Sequence, residues 1–282
     1  MTQAHASTRT TRNSAALALH GLTLAAFFAA AAAPTPLYRL YGEAFALSPV
    51  LMTTVFAVYA LALLKALLVV GSLSDHLGRR PVIFAALLIE IAAMAVFTLA
   101  DGPPLLIVAR ILQGLATGMA ASSLGAALVD ADRERAQLVN SLAPLLGMGI
   151  GALGTSALVQ YGPHPLHLVY GLLGLLFAAL AGLLWLVPET ALRRPGALRS
   201  LRPRVTVPVR ARRALAVVTP VNLATWMLGG FYLALVPSLV AAATGSRAPL
   251  VGGTVVSALM LAGAAAVATR RTRPAAANLT FG

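Results

Sequence analysis

Eight apolar runs of about 20 residues follow one another along the chain. A helix rises about 1.5 Å per residue, so a run of this length crosses the roughly 30 Å hydrocarbon core of a bilayer. The runs occupy residues 15–33, 49–71, 81–100, 104–129, 138–160, 166–187, 215–241 and 250–269. Because backbone groups inside lipid must be hydrogen-bonded internally, this pattern predicts a bundle of transmembrane helices.

Proline and glycine mark the connectors between the runs, as expected where one helix ends and the next begins. Short connectors include Pro34-Thr35-Pro36, Ser48-Pro49 and Ala248-Pro249, whereas the stretch before the seventh run is long and rich in proline and arginine. The sequence therefore predicts five parts: an N-terminal tail (1–14), a six-span bundle (15–187), a basic linker (188–214), a two-span unit (215–269) and a second tail (270–282).

The composition excludes several classes of protein. Hydrophobic residues make up 59% of the chain and charged residues 10%, which is typical of a multi-pass membrane protein and not of a soluble one. There is no cysteine, the five histidines are scattered, and no catalytic or nucleotide-binding motif is present. We therefore predict no metal, no cofactor, no enzymatic activity and no ATP-driven pumping.

The chain has a net charge of +13, and most of its arginines lie in the segments between the apolar runs. If the N-terminus is cytoplasmic, the arginine-rich loops fall inside, and Arg39 and Arg247 fall outside. Cytoplasmic loops carry an excess of Lys and Arg. We therefore predict a bacterial-type inner membrane protein with both termini in the cytoplasm, and a lipid bilayer rather than a nucleic acid as the partner of its charge.

The connector between the second and third spans reads GSLSDHLGRRP over residues 71–81. Its glycines permit a tight turn and close helix approach, while Asp75, Arg79 and Arg80 can form charge-assisted hydrogen bonds to neighbouring helix ends. A simpler interpretation is a basic loop in which Asp75 pairs with Arg79.

Three other segments carry patterned polar or glycine residues. They read RILQGLATG over 110–118, GMGIGA over 147–152 and PET over 188–190. With 71–81, they resemble the GxLxDxxGRR, RxxQGxxxG and PET motifs of the major facilitator superfamily. The glycine-rich segment is similar to a motif of proton-driven drug exporters, with Ala152 in place of the proline, and His76 stands where the family has Arg or Lys.

The resemblance implies an all-α, MFS-type bundle with a complete six-helix N-terminal domain and the first two helices of the C-terminal domain. It also implies alternating-access transport of a small-molecule organic substrate, coupled to protons, with drug or sugar efflux favoured and no oligomeric state assigned. The motif in 71–81 then acts as a conformational gate that docks against the second bundle, through Gly71, Asp75, Gly78, Arg79 and Arg80.

The family has about twelve spans, so the resemblance leads us to expect a truncated chain. The alternatives to a working transporter are a non-transporting scaffold or receptor and an inactive fragment.

Arg110 lies about 10 Å inside the fourth span, where an unpaired charge is costly. Gln113 and Thr117 follow it at helical spacing on about the same face. The resemblance implies a polar cavity in which Arg110 tunes a proton site or contacts substrate. Alternatively, Arg110 reaches out of the membrane or bonds helix carbonyls, and Gly114 and Gly118 serve close helix packing.

Glu90 lies near the middle of the third span. It is a candidate proton carrier, because loss of hydration favours the protonated form of a carboxyl group. We favour the alternative that Glu90 pairs with Lys65 of the adjacent, antiparallel second span.

The first and seventh spans line the central cavity in the family. The resemblance therefore makes their polar and aromatic residues candidate substrate contacts, unless these groups only bond across packed helices. The residues are His20, Thr23, Phe27, Asn222, Thr225, Trp226 and Tyr232.

Overall fold

The computed structural model describes residues 2–202, 208–246 and 248–273, with the backbone alone for 2–12, 49 and 238. Parts of the predicted linker (203–207) and of the second tail (274–282), together with residue 247, lie outside the described residues. Within the described ranges the chain is helical and contains no β-strand. The predicted all-α fold class is confirmed.

The described residues form twelve α-helices and one short 3₁₀ turn. In chain order they are α1 (Thr2–Ala32), α2 (Pro34–Phe45), α3 (Pro49–Val70), α4 (Ser74–Leu77), α5 (Arg79–Thr98), α6 (Pro103–Ala131), α7 (Arg133–Tyr161), α8 (Pro165–Leu183), the 3₁₀ turn (Leu184–Leu186), α9 (Ala197–Ser200), α10 (Val209–Ala234), α11 (Val236–Thr244) and α12 (Pro249–Arg270). Eight helical segments are long and apolar enough to cross a membrane, as the sequence predicts.

The first span is longer than predicted. The expected connector Pro34-Thr35-Pro36 is wrong, because these residues form the first turn of α2, and the candidate span runs over Asn13–Phe45. A helix tolerates proline in its first turn, where the missing N–H has no partner to lose.

The seventh run is broken near its end. A helix begins at Val209, six residues before the predicted start of the span, and ends before Leu235, after which α11 begins. Pro237 lies in the first turn of α11 and cannot donate to the preceding turn, which accounts for the break. The predicted span 215–241 is therefore two helices.

Helix α6 is the centre of the bundle. It packs against α3, α5, α1 and α7, while α8 packs against α5 and the long α12 joins the assembly through α7. Helix α10 differs from the others: its main contacts are with α11 and α12, and none of its residues is buried.

Glycines allow the closest helix contacts. A Cβ at Gly118 of α6 would lie 2.6 Å from both Ala66 Cβ and the Leu63 carbonyl oxygen of α3, and one at Gly114 would overlap the Tyr59 carbonyl oxygen. The packing role predicted for Gly114 and Gly118 is thus confirmed. In α7, Gly147 meets the Ala25 carbonyl of α1 in the same way.

We predict opposite effects for two Gly→Ala substitutions in α7. Gly147→Ala should lower the free energy of unfolding by about 1–3 kcal/mol, because its methyl group has to displace the backbone of α1. The matched control is Gly154→Ala, whose Cβ would meet nothing within 4 Å. The control should be neutral or gain up to about 1 kcal/mol from helix propensity. Thermal unfolding of the purified chain in detergent measures both, and equal stability of the two variants contradicts the packing.

Candidate functional site

Two groups of polar side chains stand out in the structure. The first, here called the core cluster, consists of Arg110, Gln113, Glu90 and Tyr38 inside the bundle. The second, here called the loop cluster, joins the loop between α3 and α5 to Asp130 and to the residues that follow α8. We use "basic end" for the end of the bundle at which the loop cluster lies.

The core cluster is one connected set of hydrogen bonds. Arg110 and Gln113 are 1% and 0% exposed, and Nη1 of Arg110 donates to Oε1 of Gln113 at 2.7 Å. The Nε2 of Gln113 donates to the Ala30 carbonyl at 3.0 Å and to Oε1 of Glu90 at 3.4 Å, and Nη2 of Arg110 donates to the Tyr38 hydroxyl. Gln113 therefore connects the guanidinium group to the buried carboxyl group, and the cluster joins four helices.

Aromatic rings surround the guanidinium group of Arg110. Its carbon lies 5.3 Å from the ring centre of Tyr59, 5.6 Å from that of Tyr38 and 5.9 Å from that of Phe97. No carboxylate forms an ion pair with Arg110 in the part of the chain that the structure describes. Cation–π contacts and hydrogen bonds, including one of 3.4 Å to the Ala31 carbonyl, replace its hydration. Arg110 thus bonds to a helix carbonyl and stays buried inside the bundle.

The pair predicted between Glu90 and Lys65 is wrong. Glu90 is fully buried, whereas Lys65 is exposed on α3. Helix α3 turns Ala62 and Ala66 towards α6, so helical periodicity points Lys65 away from the bundle. Oε2 of Glu90 has no hydrogen-bond partner among the described residues.

Thr117 is buried one turn beyond Gln113. Its hydroxyl donates to the Gln113 carbonyl at 2.8 Å, so it is satisfied by its own helix. The structure therefore places Thr117 next to the core cluster with its donor already used.

The structure does not bring together the residues predicted to contact substrate. Three of them are buried in α1: His20, Thr23 and Phe27. The ring centres of Phe27 and Phe177 lie 5.1 Å apart, and the Thr23 hydroxyl donates to the Leu19 carbonyl at 2.7 Å. The other members, Asn222, Thr225, Trp226 and Tyr232, lie on α10, which buries no residue. Helix α10 packs on α11 and α12 instead of on α1, so the two sets lie apart in this structure.

Glu189 holds the loop cluster together. Its Oε1 accepts from the backbone N–H of Arg79 at 2.8 Å, and its Oε2 accepts from that of Arg80 at 2.9 Å, so it caps the start of α5. Gly78 precedes this cap with φ +103°, and a Cβ there would lie 2.7 Å from Oε2 of Glu189. The positive φ therefore favours glycine at this position, and a larger residue would also have to displace the capping carboxylate.

Arg79 connects three parts of the basic end. Its Nη1 donates to Ser74 at 2.8 Å and to the Asp75 carboxylate, and its Nε donates to Asp130 at the end of α6 at 3.0 Å. The Thr190 hydroxyl donates to the same Asp130 oxygen at 2.9 Å. The structure therefore contains a contact from each interpretation of this motif. Arg79 bonds to Asp130 at a neighbouring helix end, and it also pairs with Asp75.

The remaining contacts of the loop also stay within the first 200 residues. Arg80 donates to the Trp185 carbonyl at 3.2 Å, and its guanidinium carbon lies 4.7 Å from the centre of the Trp185 ring. The His76 carbonyl accepts from the Arg194 N–H at 2.9 Å. The expected docking of this motif against a second bundle is not observed among the described residues. Gly71 ends α3 with φ −53°, and a Cβ there would meet only its own turn, so it provides no close helix approach.

Several residues of both clusters were not identified from the sequence. The tyrosines around Arg110 and the carboxylate of Asp130 belong to this group, and the role of Glu189 as a helix cap was also missed. One signal was available for Asp130: the connectors after the second and fourth spans lie at the same end of an antiparallel bundle, so its charge could be matched with Arg79. The tyrosines carry no comparable signal.

We predict that Glu189→Ala releases the start of α5. Loss of an N-terminal cap costs about 1–2 kcal/mol, so the amides of Arg79 and Arg80 should exchange hydrogen faster and the melting temperature should fall. The matched control is Glu43→Ala, which removes only an exposed pair with Arg39 at 3.5 Å and should have little effect. Unchanged amide exchange at the start of α5 in Glu189→Ala would contradict the cap.

Comparison with known proteins places the chain in one family. The sequence matches the family model described as Major Facilitator Superfamily over residues 18–280, which is most of its length. No curated protein matches the sequence significantly. The eight candidate spans agree with the family match. The chain therefore belongs to the major facilitator superfamily of secondary transporters and is a multi-pass membrane protein.

Proposed function

We propose that the chain exchanges a small organic solute for protons by alternating access, with drug or sugar efflux favoured. It would lie in a bacterial-type inner membrane with both termini in the cytoplasm. Residues 15–187 would form one complete bundle and residues 215–269 part of a second, joined by the basic linker 188–214. The core cluster carries the proposal of proton coupling.

The composition of the core cluster supports proton coupling. It places a carboxyl group with one unpartnered oxygen, Glu90, two hydrogen bonds away from a buried guanidinium group, Arg110. Burial makes the charge on Glu90 sensitive to any entry of water, because the hydration of a carboxylate is lost inside the membrane. A change in water access during alternating access would thus change whether Glu90 holds a proton.

Gln113 can report the protonation state of Glu90 to Arg110. When Glu90 is ionised, the Gln113 amide N–H donates to it and the amide oxygen accepts from Arg110, as in the observed arrangement. A protonated Glu90 becomes a donor itself and competes with Arg110 for the amide oxygen. The two arrangements differ in what binds Arg110, which gives a proton on Glu90 a structural consequence.

The charge distribution at the basic end supports the orientation. The loop cluster contains Arg79 and Arg80, and the same end carries Arg135 of α7 beside Arg270 of α12. An excess of arginine at one end of a short-looped bundle is typical of the cytoplasmic side. Substrate would then enter between the two units, contacting the α1 and α10 residues in a conformation in which these helices face each other.

A flux assay tests the proposed transport. The full chain is reconstituted in vesicles that enclose a pH-sensitive dye, and a lipophilic cationic drug or a sugar is added under a pH gradient. The expected result is solute-dependent proton movement, reduced at least about ten-fold in Arg110→Ala and unchanged in Arg39→Ala, whose guanidinium group lies in an exposed pair. Proton movement that is independent of both solutes, or equal in the two variants, contradicts the proposal.

Glu90→Gln separates coupling from solute movement. The amide cannot carry a proton, so we expect solute-driven proton movement to fall to the level of empty vesicles, while exchange of labelled for unlabelled solute continues. The matched control, Glu43→Gln, changes an exposed carboxyl group and should leave both measurements unchanged. If Glu90→Gln still moves protons with solute, the proton is carried elsewhere.

A second candidate function is a non-transporting membrane scaffold or receptor. One observation favours it: α10 buries none of its residues and packs on α11 and α12 instead of on α1, so the two sets of predicted substrate contacts lie apart in this structure. A scaffold does not require the buried core cluster around Arg110. The flux assay therefore distinguishes the two candidates directly.

A further inference from the structure

A cleft of about 700 Å³ opens between α7 and α12 at the basic end. It is separate from both the core cluster and the loop cluster. Its basic and polar lining includes Arg135, Arg270, Arg271, Glu134 and Ser141, and its apolar lining includes Leu138, Ala266 and Val267.

The cleft exists because α7 and α12 are in close contact along only part of their length. Further from the basic end, the Ser257 hydroxyl of α12 donates to the Gly149 carbonyl of α7 at 2.6 Å, and a Cβ at Gly253 would overlap Ser156. Nearer the basic end, α7 contacts α12 through the longer side chain of Leu145. Its Cδ1 would lie 3.7 Å from a Cβ added at Gly263. Beyond that point the two helices leave the space between them open.

The charge of the cleft suits an anion. Three arginines line it against one carboxylate, Glu134. Arg135 is partly neutralised by Asp132 at 3.5 Å, and Asp132 also accepts from the first backbone N–H groups of α7. Arg270 and Arg271 bring two further guanidinium groups to the cleft, and the planar shape of these groups matches the geometry of a phosphate.

The depth of the cleft suits a lipid. Its lining on α12 runs from Ala266 to Arg270, about 6 Å along the helix axis, and continues to Thr272 just after the helix. It passes from apolar to basic residues in that distance. An acyl chain beside Val267 would continue into the hydrocarbon, while the phosphate group would lie beside the arginines. A free phosphate ion would leave the apolar part of the lining without a partner.

We propose that this cleft binds the headgroup of an anionic phospholipid, such as phosphatidylglycerol, between α7 and α12. Basic pockets between transmembrane helices are suited to such headgroups. The eighth span, α12, contacts the six-span bundle through α7. A lipid bound between these two helices would bridge them and stabilise their junction.

Binding is tested with the full chain in zwitterionic detergent micelles. Phosphatidylglycerol is added, and the rise in melting temperature and the lipid retained in native mass spectra are measured. In the double variant Arg270→Gln/Arg271→Gln, we expect at least about ten-fold weaker apparent affinity. The matched control is Arg199→Gln/Arg202→Gln, which removes the same charge from the same end outside the cleft and should bind as the unaltered chain does.

A second variant tests the cleft independently of charge. Ser141→Trp keeps every arginine, and its indole ring would occupy the space between the helices, so it should also lose lipid. Equal loss in both double variants, or full binding by Ser141→Trp, would indicate general surface attraction and overturn the proposal. The proposal is also overturned if inorganic phosphate at equal concentration raises the melting temperature as much as the lipid does, because the site would then recognise a free anion.

Discussion

The hydrogen-bonding of Arg110 is the interaction on which the centre of the bundle depends. A guanidinium group inside the membrane has lost its water, and an uncompensated charge there is strongly unfavourable. The chain supplies Gln113, Tyr38, the Ala31 carbonyl and a set of aromatic rings in its place. These partners come from different helices, so satisfying one side chain fixes how several helices pack around α6.

The same requirement acts at the basic end in a different form. The first backbone N–H groups of α5 have no partners in their own helix, and Glu189 reaches them from the segment after α8. Asp130 adds a bond from α6 to Arg79. The motif in 71–81 is therefore part of the first six spans in this conformation, tying the third, fourth and sixth spans together. A gating role would require these bonds to break and re-form during transport.

Much of the architecture was predictable from the sequence because lipid leaves few alternatives. Segment lengths, breakers and loop charges gave the eight spans, and the spacing of Gly114 and Gly118 indicated their packing role. The incorrect predictions have two causes. Lys65 and Glu90 were matched by depth alone, but the direction of each side chain depends on how α3 and α5 are rotated against α6. Proline is compatible with both a loop and the first turn of a helix, so the sequence does not show that Pro34 and Pro36 begin α2.

The sequence alone determined that this protein is a multi-pass helical bundle of the major facilitator type, since apolar length and motif spacing are local properties. It also marked Arg110 and Gln113 as unusual, because charge and amide groups are rare in such spans. Only the tertiary structure decided their partners, since Glu90, Tyr38 and the Ala30 carbonyl come from distant parts of the chain. Contacts of that kind depend on helix rotation and register, which no single span encodes.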